Sequence, residues 1–430
     1  MDFELLHPAD QIVMIMERIY GYGMTTTSGG NLSILDENGD IWITPGGVDK
    51  GALTRKDIMC VKPDGTVIGN HKPSIELPFH QTVYQRRPDV RAVLHAHPPA
   101  LVAFSIVRRI PDTRLIPNVH QTCGEVGMAQ YDLPGSTKLG DKVAAVFEKG
   151  YNTVILENHG VVVANQDLFR AFMAFETLDF CARLEIKAYR IGKPVTLKDQ
   201  YIEISKNKQN VQMDEFIPQK HSSAENDARR EMCDLIHRAY NQKLFTSTQG
   251  TFSQRLEDGS FLITPYMVDR KYMNVSDLVR IDHGRKEAGK TPSRSVPLHQ
   301  YIYEKNSHIN SVIIAHPPNI MAFAVTEESF DSRTIPESYI MLRNIPKLPF
   351  GSTFMQPQMA ADVFKKDTPV AIAENDCVIV TGNTLLNAFD RLEVAEYSAK
   401  GIIASRVLGE MVATNGSQVE EINEAFKLNQ

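Results

Sequence analysis

The 430-residue chain carries its own sequence twice. Thr27-Ser28-Gly29-Gly30-Asn31-Leu32-Ser33 is echoed by Ser247-Thr248-Gln249-Gly250-Thr251-Phe252-Ser253, and Ile43-Thr44-Pro45 by Ile263-Thr264-Pro265. Pro73-Ser74, Pro78 and His80 return as Pro292-Ser293, Pro297 and His299; Ala96-His97-Pro98-Pro99 returns as Ala315-His316-Pro317-Pro318; Glu157-Asn158 returns as Glu374-Asn375. Thr44 and Thr264 lie 220 positions apart, His80 and His299 lie 219 apart, and Glu157 and Glu374 lie 217 apart. Chance matches do not hold register over a whole half, so the chain is a tandem duplication of a domain-sized unit. The join falls in the polar stretch Thr196 to Glu225, rich in Lys, Gln, Asn and Ser. A boundary near residue 212 gives domains 1–212 and 213–430.

Within the first unit, Val90 to Leu94 is a β-branched run leading into His95-Ala96-His97 and stopped by Pro98-Pro99. Thr153–Leu156 and Val161–Ala164 read as strands joined by the tight polar turn Glu157-Asn158-His159-Gly160, a hairpin. Asp167 to Ala188 has no Gly or Pro and reads as a long helix, with Phe169, Phe172, Phe175 and Phe180 as core. Strands alternating with such helices imply a layered α/β domain containing antiparallel pairs.

A net charge of -6 gives no basic footprint for nucleic acid and no polybasic membrane patch. Met1-Asp2-Phe3-Glu4 does not resemble the start of a secretory signal, and no apolar run reaches the roughly 18 residues of a spanning helix. Five scattered cysteines without a CxxC pair fit reduced thiols, so the expected setting is the cytoplasm.

His95 and His97 stand two apart on the expected strand, so both imidazoles project to one side. His159, at the tip of the hairpin turn, supplies a third. Three histidines with an open fourth position form a typical catalytic zinc arrangement, and other divalent cations accept the same ligands. Glu76 lies in Pro73-Ser74-Ile75-Glu76-Leu77-Pro78, where Ser74 is the expected helix N-cap and Pro78 an early helical proline. A carboxylate beside a metal is what proton abstraction next to a carbonyl requires. Ser28-Gly29-Gly30-Asn31, Thr44-Pro45-Gly46-Gly47 and Ser74 read as anion cradles of flexible backbone and hydroxyls. His80, His120 and His299 have no evident partner and read as structural, as does Trp42.

Taken together, Ser28-Gly-Gly-Asn31, Thr44-Pro-Gly-Gly47, Pro73-Ser-Ile-Glu76, His95-Ala-His97-Pro98 and Asn158-His-Gly160 resemble the class II aldolase/adducin family, fuculose-phosphate aldolases among them. The resemblance runs in order through residues 10–190. It implies a three-layer α/β/α fold in two tandem copies and a divalent metal, foremost Zn2+, with Mn2+, Fe2+ or Co2+ as substitutes. It further implies His95, His97 and His159 as metal ligands and Glu76 as acid/base. Asn31, Thr44, Gly46 and Ser74 would hold a substrate phosphate.

Two positions depart from the family pattern. Ile75 stands where a second serine is common, and Gln121 follows Ile116-Pro117-Asn118-Val119-His120 where the aldolases carry a tyrosine. The expected activity is a metal-dependent lyase of aldolase type. Its substrate would be a small sugar or hydroxy-carbonyl compound, with or without phosphate, cleaved through a metal-stabilised enediolate. A dehydratase, epimerase or decarboxylase on the same site, or a non-catalytic adducin-like scaffold, are the alternatives.

In the second unit His95 becomes Ile314, His159 becomes Asp376, Gly160 becomes Cys377 and Glu76 becomes Ser295, leaving His316 alone. That half reads as a disarmed copy that keeps its fold. It would supply the neighbouring surface that identical subunits give in the family's cyclic tetramers. The expected partners are a small-molecule substrate and a second copy of the chain, in a four-lobed dimeric ring or a higher oligomer, with neither nucleic acid nor membrane.

Overall fold

The computed structural model describes residues 3–428. It divides into two compact units, 1–183 and 184–430. In the first, the elements run α1 (Pro8–Gly21), β1 (Asn31–Leu35), β2 (Ile41–Ile43), β3 (Met59–Val61), β4 (Val67–Ile68), α2 (Leu77–Arg86), β5 (Ala92–Ala96), α3 (Pro99–Ile106), α4 (Pro117–Cys123), β6 (Val126–Ala129), α5 (Thr137–Phe147), β7 (Thr153–Leu156) and β8 (Gly160–Asn165). The long helix α6 (Leu168–Ile191) follows and crosses the division between the units.

Among the described residues the first unit's sheet has eight strands in the order β4-β3-β2-β1-β5-β8-β7-β6. Pairing is antiparallel throughout except between β6 and β7. Two-sided cover explains the composition of the central strands: β5, β7 and β8 are buried almost along their whole length, so they read as continuous apolar runs, not alternating ones.

One face is covered by α2 and α5. Phe79 and Val83 from α2 and Leu139, Val143 and Phe147 from α5 pack on Val93, Val154 and Val162 of the sheet. The opposite face carries α1 and α3, with α6 buried along most of its length. The result is three layers, α/β/α. Phe172, Phe175 and Phe180 lie buried in α6 as core residues. Trp42 packs edge-on to the His7 ring and donates its indole N–H to Asp36 Oδ2 at 3.0 Å.

Among the described residues the second unit repeats the plan in a nine-stranded sheet, with the corresponding parallel pair and one more where the added edge strand Glu215–Phe216 joins Arg285–Glu287. Its central pair, Thr251–Arg255 against Ser311–Ala315, sets Thr251 opposite Ile314. In the first unit Asn31 stands opposite His95. The duplication therefore holds at the level of strand register.

A second shared device was not legible beforehand. Lys50 is buried and its Nζ donates to the carbonyls of Pro45 at 2.5 Å and Val48 at 3.4 Å, tying back the loop after β2. Arg270 does the same to Pro265, Val268 and Gly250.

The expected helix start is corrected. α2 begins at Leu77 with Glu76 in the N-cap position and no side-chain cap. Ser74 Oγ instead accepts the Glu76 N–H at 3.3 Å, closing a turn one step earlier. Pro78 does occupy an early helical position.

Phe79 is fully buried and its ring meets His95 edge-on, with centroids 5.8 Å apart. Phe79→Ala is expected to lower stability by about 3–5 kcal/mol, measured by urea unfolding. A loss below about 1 kcal/mol would show that this layer does not depend on α2 packing as described.

Candidate metal centre and acid–base site

Strand geometry places the site. On β5, Val93 and His95 face the α2/α5 layer, while Leu94 faces the other way. His95 is fully buried and its Nδ1 lies 2.9 Å from the Val161 carbonyl of β8. A carbonyl only accepts, so Nδ1 carries the proton and Nε2 is left as a lone pair. β5 ends at Ala96, so His97 is set by its backbone N–H on the Met24 carbonyl at 3.2 Å. His159 sits in the β7–β8 turn, where Asn158 takes φ +54° and His159 N–H closes on Leu156 O. The expected hairpin is present.

These three elements bring the imidazoles together. Ring centroids are 4.7 Å apart for His95–His97, 4.8 Å for His95–His159 and 5.2 Å for His97–His159. One nitrogen from each lies within 4.8 Å of the others, a spacing suited to a shared cation. Gly160 makes this approach feasible: a Cβ there would fall 2.7 Å from both Ala96 O and His97 Cδ2.

Glu76, 6% exposed, borders the cluster. Its Oε2 lies 3.3 Å from His95 Nε2 and its Oε1 lies 3.7 Å from His159 Nε2. His95 Nε2 and Glu76 Oε1 are buried without a hydrogen-bond partner. Burial holds all three imidazoles below their ordinary value of 6.5, with neighbouring imidazoles adding to the effect: His95 falls to about 3, His97 to about 4, and His159 also falls. The neutral His95 Nε2 lone pair therefore faces the Glu76 carboxylate across 3.3 Å, two electron-rich groups in one buried site. A divalent cation on the three nitrogens relieves that opposition, so the residues present fit the metal.

Asn31 starts β1 opposite His95 and donates Nδ2–H to Glu76 Oε2 at 2.7 Å. Its Oδ1 lies 2.5 Å from His80 Nε2. His80, read from sequence as having no evident partner, is thus joined to Glu76 through Asn31. The available signal was its place one helical turn after Glu76, on the same face of α2. His120 does fill a local role, with its Nδ1 3.0 Å from Thr113 Oγ1.

Thr44, Gly46 and Ser74 lie together beside this group, linked by the Pro45–Pro73 bridge and by Ser74 N–H on Thr44 O. The N–H groups of Thr44 and Gly46 are already taken by the carbonyls of Leu32 and Lys72. Thr44 is fully buried and its Oγ1 accepts the Leu32 N–H at 3.2 Å, so what this segment offers an anion is the Ser74 hydroxyl and the second N–H of Asn31. Ile75 is 73% exposed beside them.

In the second unit, Thr251, Ser293 and Ser295 form a chain of hydroxyls where Asn31, Ser74 and Glu76 stand in the first. Asp376 accepts from Thr353 Oγ1. Among the described residues, the His95–His97–His159 group is the cluster with the geometry to hold a metal ion.

The depressed imidazoles have a stability consequence. A buried histidine kept neutral binds its proton less readily than in the unfolded chain, so below 6.5 the unfolded state takes up more protons. Its stabilising effect is complete above 6.5 and fades as pH falls towards the folded values of about 3 and about 4. His299, at about 3, and His316, at about 4, act in the same direction. The urea midpoint of the metal-free protein should therefore fall from about pH 7 to about pH 5; a constant midpoint would contradict the burial of these rings.

The family model for the Class II Aldolase and Adducin N-terminal domain matches residues 10–186 and again residues 230–403. A 5-deoxy-D-ribulose 1-phosphate aldolase of Bacillus thuringiensis serovar kurstaki is 31% identical over 204 residues, 45% of this chain and 91% of that protein. A 3-oxo-tetronate 4-phosphate decarboxylase of Pectobacterium atrosepticum is 32% identical over 178 residues, 40% of this chain and 81% of that protein. The solved structure of an L-fuculose 1-phosphate aldolase is 29% identical, covers 46% of this chain and 93% of that one, and gives a TM-score of 0.42. With one match in each half, together spanning most of its length, the chain belongs to the class II aldolase and adducin family, as a tandem duplication whose second copy has lost the histidine cluster.

Proposed function

We propose that the first unit is a metal-dependent lyase of aldolase type acting on a small sugar phosphate or related hydroxy-carbonyl compound. The observation that carries this reading is the buried Glu76 carboxylate, set 3.3 Å from His95 Nε2 and 3.7 Å from His159 Nε2 with its outer oxygen unpartnered. His95, His97 and His159 would hold the cation, Zn2+ first among candidates because three imidazoles and an open position suit it. When bound, the ion polarises a carbonyl and stabilises negative charge on oxygen.

The chain's own residues supply the rest. In the condensing direction Glu76 takes the proton from the carbon beside the carbonyl, and the resulting enediolate attacks an aldehyde. In cleavage the β-hydroxyl loses its proton to solvent as the new carbonyl forms, the C–C bonding electrons move to the carbonyl side, and Glu76, entering this direction protonated, gives its proton to that carbon. Ser74 and Asn31 would orient the substrate's anionic group, with Thr44 buried behind them and holding the Leu32 N–H. Ile75 contributes no donor there, which costs a phosphate about 1.5–3 kcal/mol relative to a hydroxyl at that place.

A second reading has a specific observation behind it. Aldol cleavage also needs a group to take the departing hydroxyl proton, and Gln121 replaces the family's tyrosine. Decarboxylation of a 3-oxo acid needs none: carbon dioxide leaves, its bonding electrons form the enolate, and Glu76 passes to the carbon a proton drawn from solvent. The Pectobacterium relative is named for such a reaction. For assembly, we infer a dimer of this chain in the cytoplasm, which light scattering would register as twice the mass of one chain.

Protein purified without chelator is expected to hold about one transition-metal ion per chain by elemental analysis, lost in His95→Ala. Glu76→Gln should keep the metal yet lower kcat by roughly 100-fold or more, with 5-deoxy-D-ribulose 1-phosphate, L-fuculose 1-phosphate and a 3-oxo-tetronate 4-phosphate as the substrates assayed. Metal-free protein that cannot be reconstituted, or full turnover in Glu76→Gln, would overturn the reading.

A further inference from the structure

Behind Glu76 lies a buried line of side chains. Asn31 Nδ2 is 2.7 Å from Glu76 Oε2, His80 Nε2 is 2.5 Å from Asn31 Oδ1, Ser33 Oγ is 2.6 Å from His80 Nδ1, and Tyr84 OH is 2.6 Å from Ser33 Oγ. His80 and Ser33 are fully buried. Every donor in this line can be assigned by elimination. A carboxylate oxygen only accepts, so the Asn31 amide nitrogen faces it and the amide oxygen faces His80. His80 Nε2 must then donate, and a neutral imidazole with that tautomer accepts at Nδ1, so the Ser33 hydroxyl donates. The Ser33 oxygen is left to accept from Tyr84, whose own oxygen faces the Val93 N–H. All the dipoles point one way and end on the base.

We propose that His80, acting through Asn31, is a positioning residue that fixes the Glu76 carboxylate for proton transfer, with Ser33 and Tyr84 locking its tautomer. The role rests on the lyase reading for its purpose, but its geometry is independent of the substrate. Asn31 alone could turn its amide over; His80 Nε2–H forbids the flip, because reversal would set an N–H against an N–H. A carboxylate held at one oxygen by a fixed donor keeps the other oxygen directed at the reacting carbon.

The duplication supplies a matched control. Ser253 Oγ lies 2.6 Å from His299 Nδ1 and 2.6 Å from Tyr303 OH, the same pair of bonds. There Asn31 is replaced by Thr251 and Glu76 by Ser295, and His299 Nε2 is buried with no hydrogen-bond partner. The Ser–His–Tyr triplet therefore has a structural part present in both units, and the line to a base exists in the first alone.

The experiment compares wild type, His80→Leu, His80→Gln and His299→Leu, each loaded with Co2+. Both leucine variants lose the same Ser–His bond, so both should lower the melting temperature. Only His80→Leu should reduce kcat, by roughly 10- to 100-fold, with KM close to wild type. It should also shift the visible cobalt spectrum, because the carboxylate bordering the imidazoles is released. His80→Gln, whose amide nitrogen falls near the place of the imidazole Nε2, should restore most of the kcat and the spectrum. If His80→Leu does not fold, Ser33→Ala against Ser253→Ala repeats the comparison one link further back.

His80→Leu matching His299→Leu in kcat and in spectrum overturns the positioning role while leaving the lyase reading intact. No turnover in wild type, with a spectral shift confined to His80→Leu, keeps the positioning role and overturns the lyase reading. Wild-type protein that takes up no cobalt overturns both.

Discussion

The register of β1 and β8 on β5 is the constraint from which the first unit's chemistry follows. It sets Asn31 opposite His95 on one side and the Val161 carbonyl against His95 Nδ1 on the other. A slip of one residue would turn His95 to the opposite face of the sheet and leave Glu76 facing apolar side chains. That register is enforced by burial on both faces, not by the site: Val93, Val154 and Val162 pack under α2 and α5, and an ill-set sheet would expose them. The ligands are thus positioned by a core that is indifferent to them.

The same indifference explains why the two units can share a fold and differ in chemistry. Three imidazoles, one fully buried and two partly so, beside a buried carboxylate are electrostatically awkward without a cation, and of the three only His95 touches the apolar core, through Phe79. In the second unit Ile314 and Ser295 stand at the corresponding places, and strand order and register persist. What both units retain is the scaffold: the Ser–His–Tyr triplet and the buried cation behind the loop after the second strand. The shared scaffold and the residues that differ between the units are thus different atoms of one motif.

Much of this was legible in the sequence because it depends on spacing. The duplication, the layered fold, the β7–β8 hairpin and the long helix α6 follow from repeats and periodicity, and the placing of His95 from strand alternation and of His159 from a turn, whereas His97 lies past the end of β5 and is set by the Met24 carbonyl. The parts that were not legible depend on contacts between distant segments. His80 reads as a lone histidine until β1 and α2 are packed, when Asn31 and Ser33 meet it from positions 49 and 47 residues away. Ser74 has the residue type of an N-cap, but Pro45 and Pro73 bridge at that point and delay the helix to Leu77. The cradle around Thr44 and Gly46 looks open in sequence because Gly-rich loops expose N–H groups, yet the fold spends those groups on Leu32 and Lys72.

Gly160 has a consequence for the direction in which such a duplicated chain can change. In the first unit the absence of a Cβ there is what lets the His97 ring approach the turn. In the second unit the matching place, facing Ala373 as Gly160 faces Leu156, is Cys377. Restoring histidines at Ile314 and Asp376 would still leave that extra side chain where the neighbouring imidazole needs room. Rearming the second half thus requires the glycine as well as the histidines, and that exchange by itself loosens a buried strand end without supplying a ligand. The loss behaves as a ratchet, with one small residue deciding that two copies of a fold remain one site.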